Sequence, residues 1–180
     1  MPVLNFRSRD IFDTDVCSAD GALLYKVTKQ DSAARKVVIT KTSTRPENDP
    51  LGTIEMRYPD DNICECLGSD MNISRDGLGA PFIFKASDGK TYRWEDCFGD
   101  DGIFTSANGS QLGSFHKKSV FTLLSGSTPK AILSISDEAV AIMDEILVSL
   151  IYAKRYLRPK GLPIVSGAGL SRPLVVHPLQ

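Results

Sequence analysis

The chain has 180 residues, 42% of them hydrophobic and 24% charged, with 21 Lys and Arg against 22 Asp and Glu for a formal net charge of −1. This is the composition of one globular domain with room for a core, and its balance of charge excludes the whole-surface positive field of a nucleic-acid binder, so no nucleic-acid partner is expected. Four scattered cysteines are too few for a disulfide-stapled mini-protein, and Arg7 interrupts the start before any signal-peptide core; both point to a reduced, cytoplasmic protein.

Residues 1–20 carry the short apolar runs "VLNF" and "DIFDTDVCS" and the acids Asp10, Asp13 and Asp15. They are read as an N-terminal segment that supplies a first strand or plugs one mouth of a barrel. From residue 21 the pattern has period two. Segments 22–29, 35–42, 52–58, 62–67, 81–86, 90–96, 102–106, 111–117, 119–124 and 130–136 are short, rich in β-branched and aromatic residues, and bounded by turn residues, which predicts about ten strands. Asp88-Gly89 in "SDGK" and Asn108-Gly109 in "ANGS" are hairpin turns on the same reading.

The period then changes once. Of the fifteen residues 139–153, twelve are apolar or Tyr; the exceptions are Asp144, Glu145 and Ser149. Ser136 stands as an N-cap, Asp137 and Glu138 lie where the helix dipole favours anions, and Lys154, Arg155 and Arg158 lie where it favours cations, predicting a helix over 137–158. Its apolar run is too short and too charged to cross a bilayer, which needs about 20 predominantly apolar residues. A helix apolar on nearly every side must be enclosed, and a sheet of ten to twelve strands removes its edges by closing. The expected fold is therefore mainly β: a closed antiparallel β-barrel of about ten to twelve strands, spanning 21–158, wrapped around one C-terminal hydrophobic α-helix. A helix laid across one face of a β-sandwich is the alternative. Residues 159–180 form a Pro/Gly-rich tail that is expected to be disordered, to lie along the barrel as an extended strap, or to meet a protein partner.

The combination of "DGKTYRW" (88–94), "QLGSFHKK" (111–118) and "MDEILVSLIYAKRYLR" (143–158) resembles an uncharacterised family of small fungal proteins, common in mushroom-forming fungi, whose fold is similar to the tubby C-terminal and LURP-one-related barrels. The resemblance covers roughly residues 20–158 and implies a closed antiparallel barrel around a hydrophobic helix near the chain end. Tubby-like domains bind phosphoinositide headgroups through basic surface residues, and scramblase-like relatives are associated with membranes, so it also implies peripheral membrane contact.

Candidate ligand-binding residues are His116, Lys117, Lys118, Lys154, Arg155 and Arg158, whose clustered charge suits a lipid headgroup or another small anionic or amphipathic molecule at a barrel rim. Cys97 as nucleophile, His116 as base and Asp96 as orienter make a catalytic alternative, although nothing in their spacing makes them neighbours. "DCFGDDG" at 96–102 places Asp96, Asp100 and Asp101 in a turn that would suit a hard cation but fails the EF-hand spacing. "CEC" at 64–66 puts two sulfurs on one strand face without the second pair that a zinc site needs. The expectation is a binding or scaffold module without a cofactor; a small Cys/His/Asp enzyme and a protein-interaction module using an edge strand or the tail are the alternatives.

Overall fold

The computed structural model describes residues 1–42, 49–57, 61–77, 79–97, 99–118 and 129–158. Twelve strands make one antiparallel sheet: β1 (Val3–Phe6), β2 (Thr14–Cys17), β3 (Leu23–Lys29), β4 (Lys36–Lys41), β5 (Gly52–Glu55), β6 (Ile63–Cys66), β7 (Ser69–Asp70), β8 (Phe82–Lys85), β9 (Thr91–Glu95), β10 (Asp101–Ser106), β11 (Gln111–Lys117) and β12 (Ala131–Ile135). A 3-10 turn over Asp137–Ile142 and the helix α1 (Met143–Leu157) follow. The strand order is β7-β6-β5-β4-β3-β2-β1-β12-β11-β10-β9-β8. It is a meander cut at the termini, with β1 beside β12 and Phe6 opposite Ala131.

Residues 1–20 thus hold two strands in the middle of the sheet. Nine of the ten strand segments expected from the sequence contain β3 to β6 and β8 to β12; the tenth, 119–124, lies outside the described residues, as does the tail 159–180. The hairpins Ser18–Ala22, Ala86–Lys90 and Ser106–Ser110 share one design, in which the first and last residues pair and the residue before last is a glycine in the left-handed region (Gly21 +90°, Gly89 +81°, Gly109 +86°). That is the three-residue loop closed by a glycine bulge.

Alternate residues of most strands turn inward: Leu4 and Phe6, Tyr25 and Val27, Val37 and Ile39, Phe82 and Phe84, Tyr92 and Trp94, Leu133 and Ile135 are all buried. They enclose α1, in which every residue from Glu145 to Arg155 is buried. Side chains from both ends of the sheet and from its middle reach the helix. Phe82 of β8 meets Tyr152 edge-on at 6.3 Å, Trp94 of β9 bonds Ser149, and Tyr25 of β3 bonds Asp144. On β5, a Cβ added to Gly52 would stand 2.7 Å from Val148 Cγ2, so only glycine lets the helix come this close. Burying Ile146, Leu147, Leu150 and Ile151 is worth about 1.5–3 kcal/mol each before chain entropy opposes it.

The sheet curls about α1, but no hydrogen-bonded ladder joins β7 to β8. One antiparallel bridge, Ser74 with Ile83, links its two ends (Ser74 N to Ile83 O and the reverse, both 2.9 Å). β7 has only two residues, and Pro81, just before β8, has no N–H to extend the pairing. The helix also begins later than the sequence suggests. Ser136 is extended but its hydroxyl makes no capping bond, and 137–142 wind as a 3-10 turn that buries Ala139 and Ile142 at the three-residue spacing of that geometry.

Candidate functional site

The three polar residues that interrupt the apolar run each have a partner. The Asp144 carboxylate accepts the Tyr25 hydroxyl at 2.6 Å and the Lys41 ammonium at 2.9 and 3.0 Å. Glu145 accepts the backbone N–H and the hydroxyl of Ser87 at 2.7 and 2.9 Å, pinning the β8–β9 hairpin to the helix. Ser149 accepts the Trp94 indole N–H at 3.0 Å and donates to Ile146 O, also at 3.0 Å. Burial and then the bond to Asp144 hold the Tyr25 phenol far above its ordinary range.

The opposite end of α1 gathers most of the sequence-derived candidates. Lys154 is only 9% exposed, and its ammonium donates to three carbonyls of the β9–β10 loop: Cys97 O at 2.9 Å, Gly99 O at 3.2 Å and Asp101 O. It also lies 5.0 Å from the Phe115 ring centroid, and burial lowers its pKa from the usual lysine value. Arg155, 7% exposed, donates from Nε to Ala34 O at 2.6 Å in the β3–β4 loop; burial, then the charge of Arg158, depresses it. Arg158 lays its guanidinium on Phe12 of the β1–β2 loop, 5.2 Å from the ring centroid. Each of these cations therefore ties the helix end to a different rim loop. Lys154 and Arg155 are anchors inside the molecule, where the sequence alone read them as rim groups open to a ligand.

The same geometry bears on the catalytic and metal candidates. Cys97 is buried and its thiol is on the core side of β10, where a Cβ on Gly102 would stand 3.4 Å from Sγ. His116 lies on the outer side of the neighbouring strand, exposed and paired with Asp101. A layer of sheet separates the thiol from the imidazole, and burial pushes the thiol up to about 11 against the opposing charge of Lys154. Asp96 is exposed at the left-handed φ of +48°, Asp100 faces Lys117 at 3.8 Å, and Asp101 belongs to His116. Among the described residues no group of three or more His, Cys, Asp and Glu side chains is placed to hold a metal. The three carbonyls that the loop turns inward receive the Lys154 ammonium.

What remains at this rim is a set of cations with no acidic partner among the described residues. Lys118 and Lys130 close the ends of β11 and β12 through Lys118 N to Lys130 O at 2.9 Å, and Lys130 N donates to Phe6 O at 2.9 Å. Arg9 is exposed in the β1–β2 loop beside them. The Nη1 of Arg158 is buried and has no hydrogen-bond acceptor among the described residues. The acids nearby are engaged: Asp10 and Asp13 with Lys29 at 2.8 and 3.8 Å, and Asp31 with the backbone N–H groups of Ala33, Arg35 and Lys36. Sequence reading missed Arg9, Lys130 and Phe12, because only the β1–β12 pairing places them beside the helix end. At the other end of the sheet a groove of about 540 Å³ is lined by Lys90, Tyr92, Ser106, Asn108, Leu112 and Glu138, among others. No helix among the described residues is long and apolar enough to cross a membrane.

Residues 9–159 match the family described as Family of unknown function (DUF6593), and the chain belongs to that family. No curated protein matches it. A solved structure of a protein from Arabidopsis thaliana is similar at 11% identity with a TM-score of 0.47, covering 83% of this chain and 89% of that one.

Proposed function

We propose that this member of the family is a non-enzymatic binding module that takes a phosphorylated lipid headgroup at the rim beside the C-terminal end of α1. The observation that carries the reading is Arg158: its guanidinium rests on Phe12 with a buried Nη1 that has no acceptor among the described residues, on the rim that holds Lys118, Lys130 and Arg9 without acidic partners among them. A phosphate oxygen would supply the acceptor, and Arg is suited to bidentate phosphate recognition. The resemblance to tubby and LURP-one-related barrels supports the same choice of ligand. On this reading the sheet acts as a closed barrel, with the Ser74–Ile83 bridge as its seam. Because α1 fills the interior, ligands are confined to the rims and outer wall.

The test is co-sedimentation with phosphatidylcholine vesicles with and without phosphoinositide. Binding should require the phosphoinositide, weaken as salt rises, and fall at least tenfold in R158E and in the K117E/K118E pair; K90E, in the groove at the other end, should bind as wild type. Binding that ignores all these charge reversals, or no binding to either vesicle, removes the proposal.

A further inference from the structure

The hairpin at one end of the sheet carries sulfur that the rim does not use. β6 turns Cys64 and Cys66 inward, two residues apart on one face, and the pair is almost fully buried at 3% and 4% exposure. β7 brings the chain back so that Met71 N donates to Cys64 O at 2.8 Å, which places Met71 directly opposite Cys64 on the same inner face. The Cys64 Sγ and Met71 Sδ atoms are 3.9 Å apart, and Met71 is 6% exposed. None of the four cysteines is in a disulfide.

We propose that Cys64, Cys66 and Met71 form a three-sulfur site for one soft monovalent metal ion, copper(I) being the type. Thiolate and thioether sulfur select Cu(I) over harder ions. With metal–sulfur bonds of roughly 2.3 Å, as in zinc thiolates, two ligands of a trigonal site lie about 4.0 Å apart, the separation Cys64 and Met71 already have. Alternate residues of a strand are about 7 Å apart at Cα and point to the same side, so rotation about χ1 brings the Cys66 sulfur toward the same point. The surroundings exclude what a harder ion needs: there is no third His, Cys, Asp or Glu among the described residues to complete a tetrahedron, and the site is closed to bulk water.

The step balances without a redox partner. Two S–H bonds break, three metal–sulfur bonds form (two to thiolates and one dative bond from the Met71 thioether), both protons leave to solvent and no electron moves. Because each thiol gives up its proton when it ligates, affinity rises with pH. Entry is through the hairpin end: β7 is two residues long and both, Ser69 and Asp70, are exposed, the kind of edge that opens locally at small cost.

The reduced, full chain is titrated anaerobically with Cu(I) in the presence of the chromophoric chelator bicinchoninate. The expected result is removal of one equivalent from the chelator, release of protons on binding, and an affinity that rises with pH. C64S and C66S should each bind at least a hundredfold more weakly. M71L, which keeps both thiols and the core volume, should bind about tenfold more weakly with the same stoichiometry, and C17S and C97S should match wild type. Copper should raise the thermal midpoint of wild type and leave those of C64S and C66S unmoved, which separates lost ligation from lost folding. Wild type that takes no more copper than C64S, or an M71L variant equal to wild type, overturns the site.

Discussion

Replacing Lys154 with Met keeps the length and most of the volume of the side chain and removes its charge. In the folded protein the ammonium donates three hydrogen bonds, to Cys97 O, Gly99 O and Asp101 O, each of the charge-assisted kind that contributes about 1.5–3 kcal/mol. Against this stands the desolvation of a cation that is only 9% exposed and meets no carboxylate within bonding distance among the described residues, a penalty of several kcal/mol that the substitution relieves. The difference is a loss of about 2 kcal/mol, read as a shift of the urea midpoint at constant slope. The local consequence is larger than the global one. Amides of the 97–101 loop should exchange with deuterium at least tenfold faster, because three of the loop's carbonyls lose the group that draws them inward. Vesicle binding should stay within twofold of wild type, since Lys154 holds the rim together and touches nothing outside it. K154M that is as stable as wild type with unchanged exchange in the loop would refute the anchoring role. K154M that keeps its stability and loses binding would make Lys154 a ligand group instead.

At Gly52 a methyl group would meet Val148 Cγ2 at 2.7 Å and Glu65 O at 3.0 Å, so G52A should cost about 1–3 kcal/mol; in the double variant with V148A the two losses should fall short of their sum by about 1 kcal/mol, and strict additivity would mean the helix does not seat there. S149A leaves the Trp94 indole N–H without its acceptor in a dry interior and should lower stability by about 1–3 kcal/mol by urea titration; a neutral S149A would place water or another acceptor beside the indole. The Cys97 thiol is pushed from its ordinary value of 9.0 up to about 11 by burial, so the folded state holds this proton more tightly than the unfolded state does. The stability linked to it is complete below pH 9 and disappears as pH rises toward 11, at up to about 1.4 kcal/mol per unit and about 3 in all. Urea midpoints of wild type and C97A across pH 8 to 11 should therefore converge by that amount, and a constant gap between them would show the thiol to be unburied.

Most of the sheet was legible because its inward residues are large, apolar and strictly alternate, as in Tyr25 and Val27 or Tyr92 and Trp94. β7 was not, because its turn is Leu67-Gly68 with Leu67 itself at a φ of +55°, where the usual signal is Asn-Gly or Asp-Gly. Residues 1–20 read only as a first strand or a plug; that they hold two strands, β1 and β2, in the middle of the sheet follows from their pairing with β12 and β3, which no local pattern announces. The helix was legible from its lack of a wet face. Its charged end was not: basic residues in a last turn ordinarily sit in solvent beside the dipole, and nothing in the order of residues 154–158 says that the 97–101 loop and Ala34 aim carbonyls at them. The separation of Cys97 from His116 was hidden for the same reason, since Cys97 precedes a strand whose first inward residue, Gly102, has no side chain to reveal its facing.

An interior filled by a helix has a consequence for charge that the two ends of α1 resolve differently. At the N-terminal end Asp144 is cancelled by the Lys41 ammonium, while Glu145 accepts only from the neutral N–H and hydroxyl of Ser87, so that end carries no uncancelled positive charge. At the C-terminal end the partners of Lys154 and Arg155 are carbonyls alone, which satisfy hydrogen bonding but leave two positive charges uncancelled beneath the rim. These charges raise the potential at the surface above them, where Arg158, Lys118 and Lys130 also lack acidic partners among the described residues. On the proposed reading the buried cations would favour anion binding at a distance while being out of its reach. Charge removal at 154 or 155 should weaken vesicle binding only slightly and with a strong dependence on ionic strength, as a screened field does, whereas removal at 158 should weaken it at every salt concentration. Equal salt dependence for the two kinds of variant would mean that the rim has no contact residue and that attraction there is diffuse.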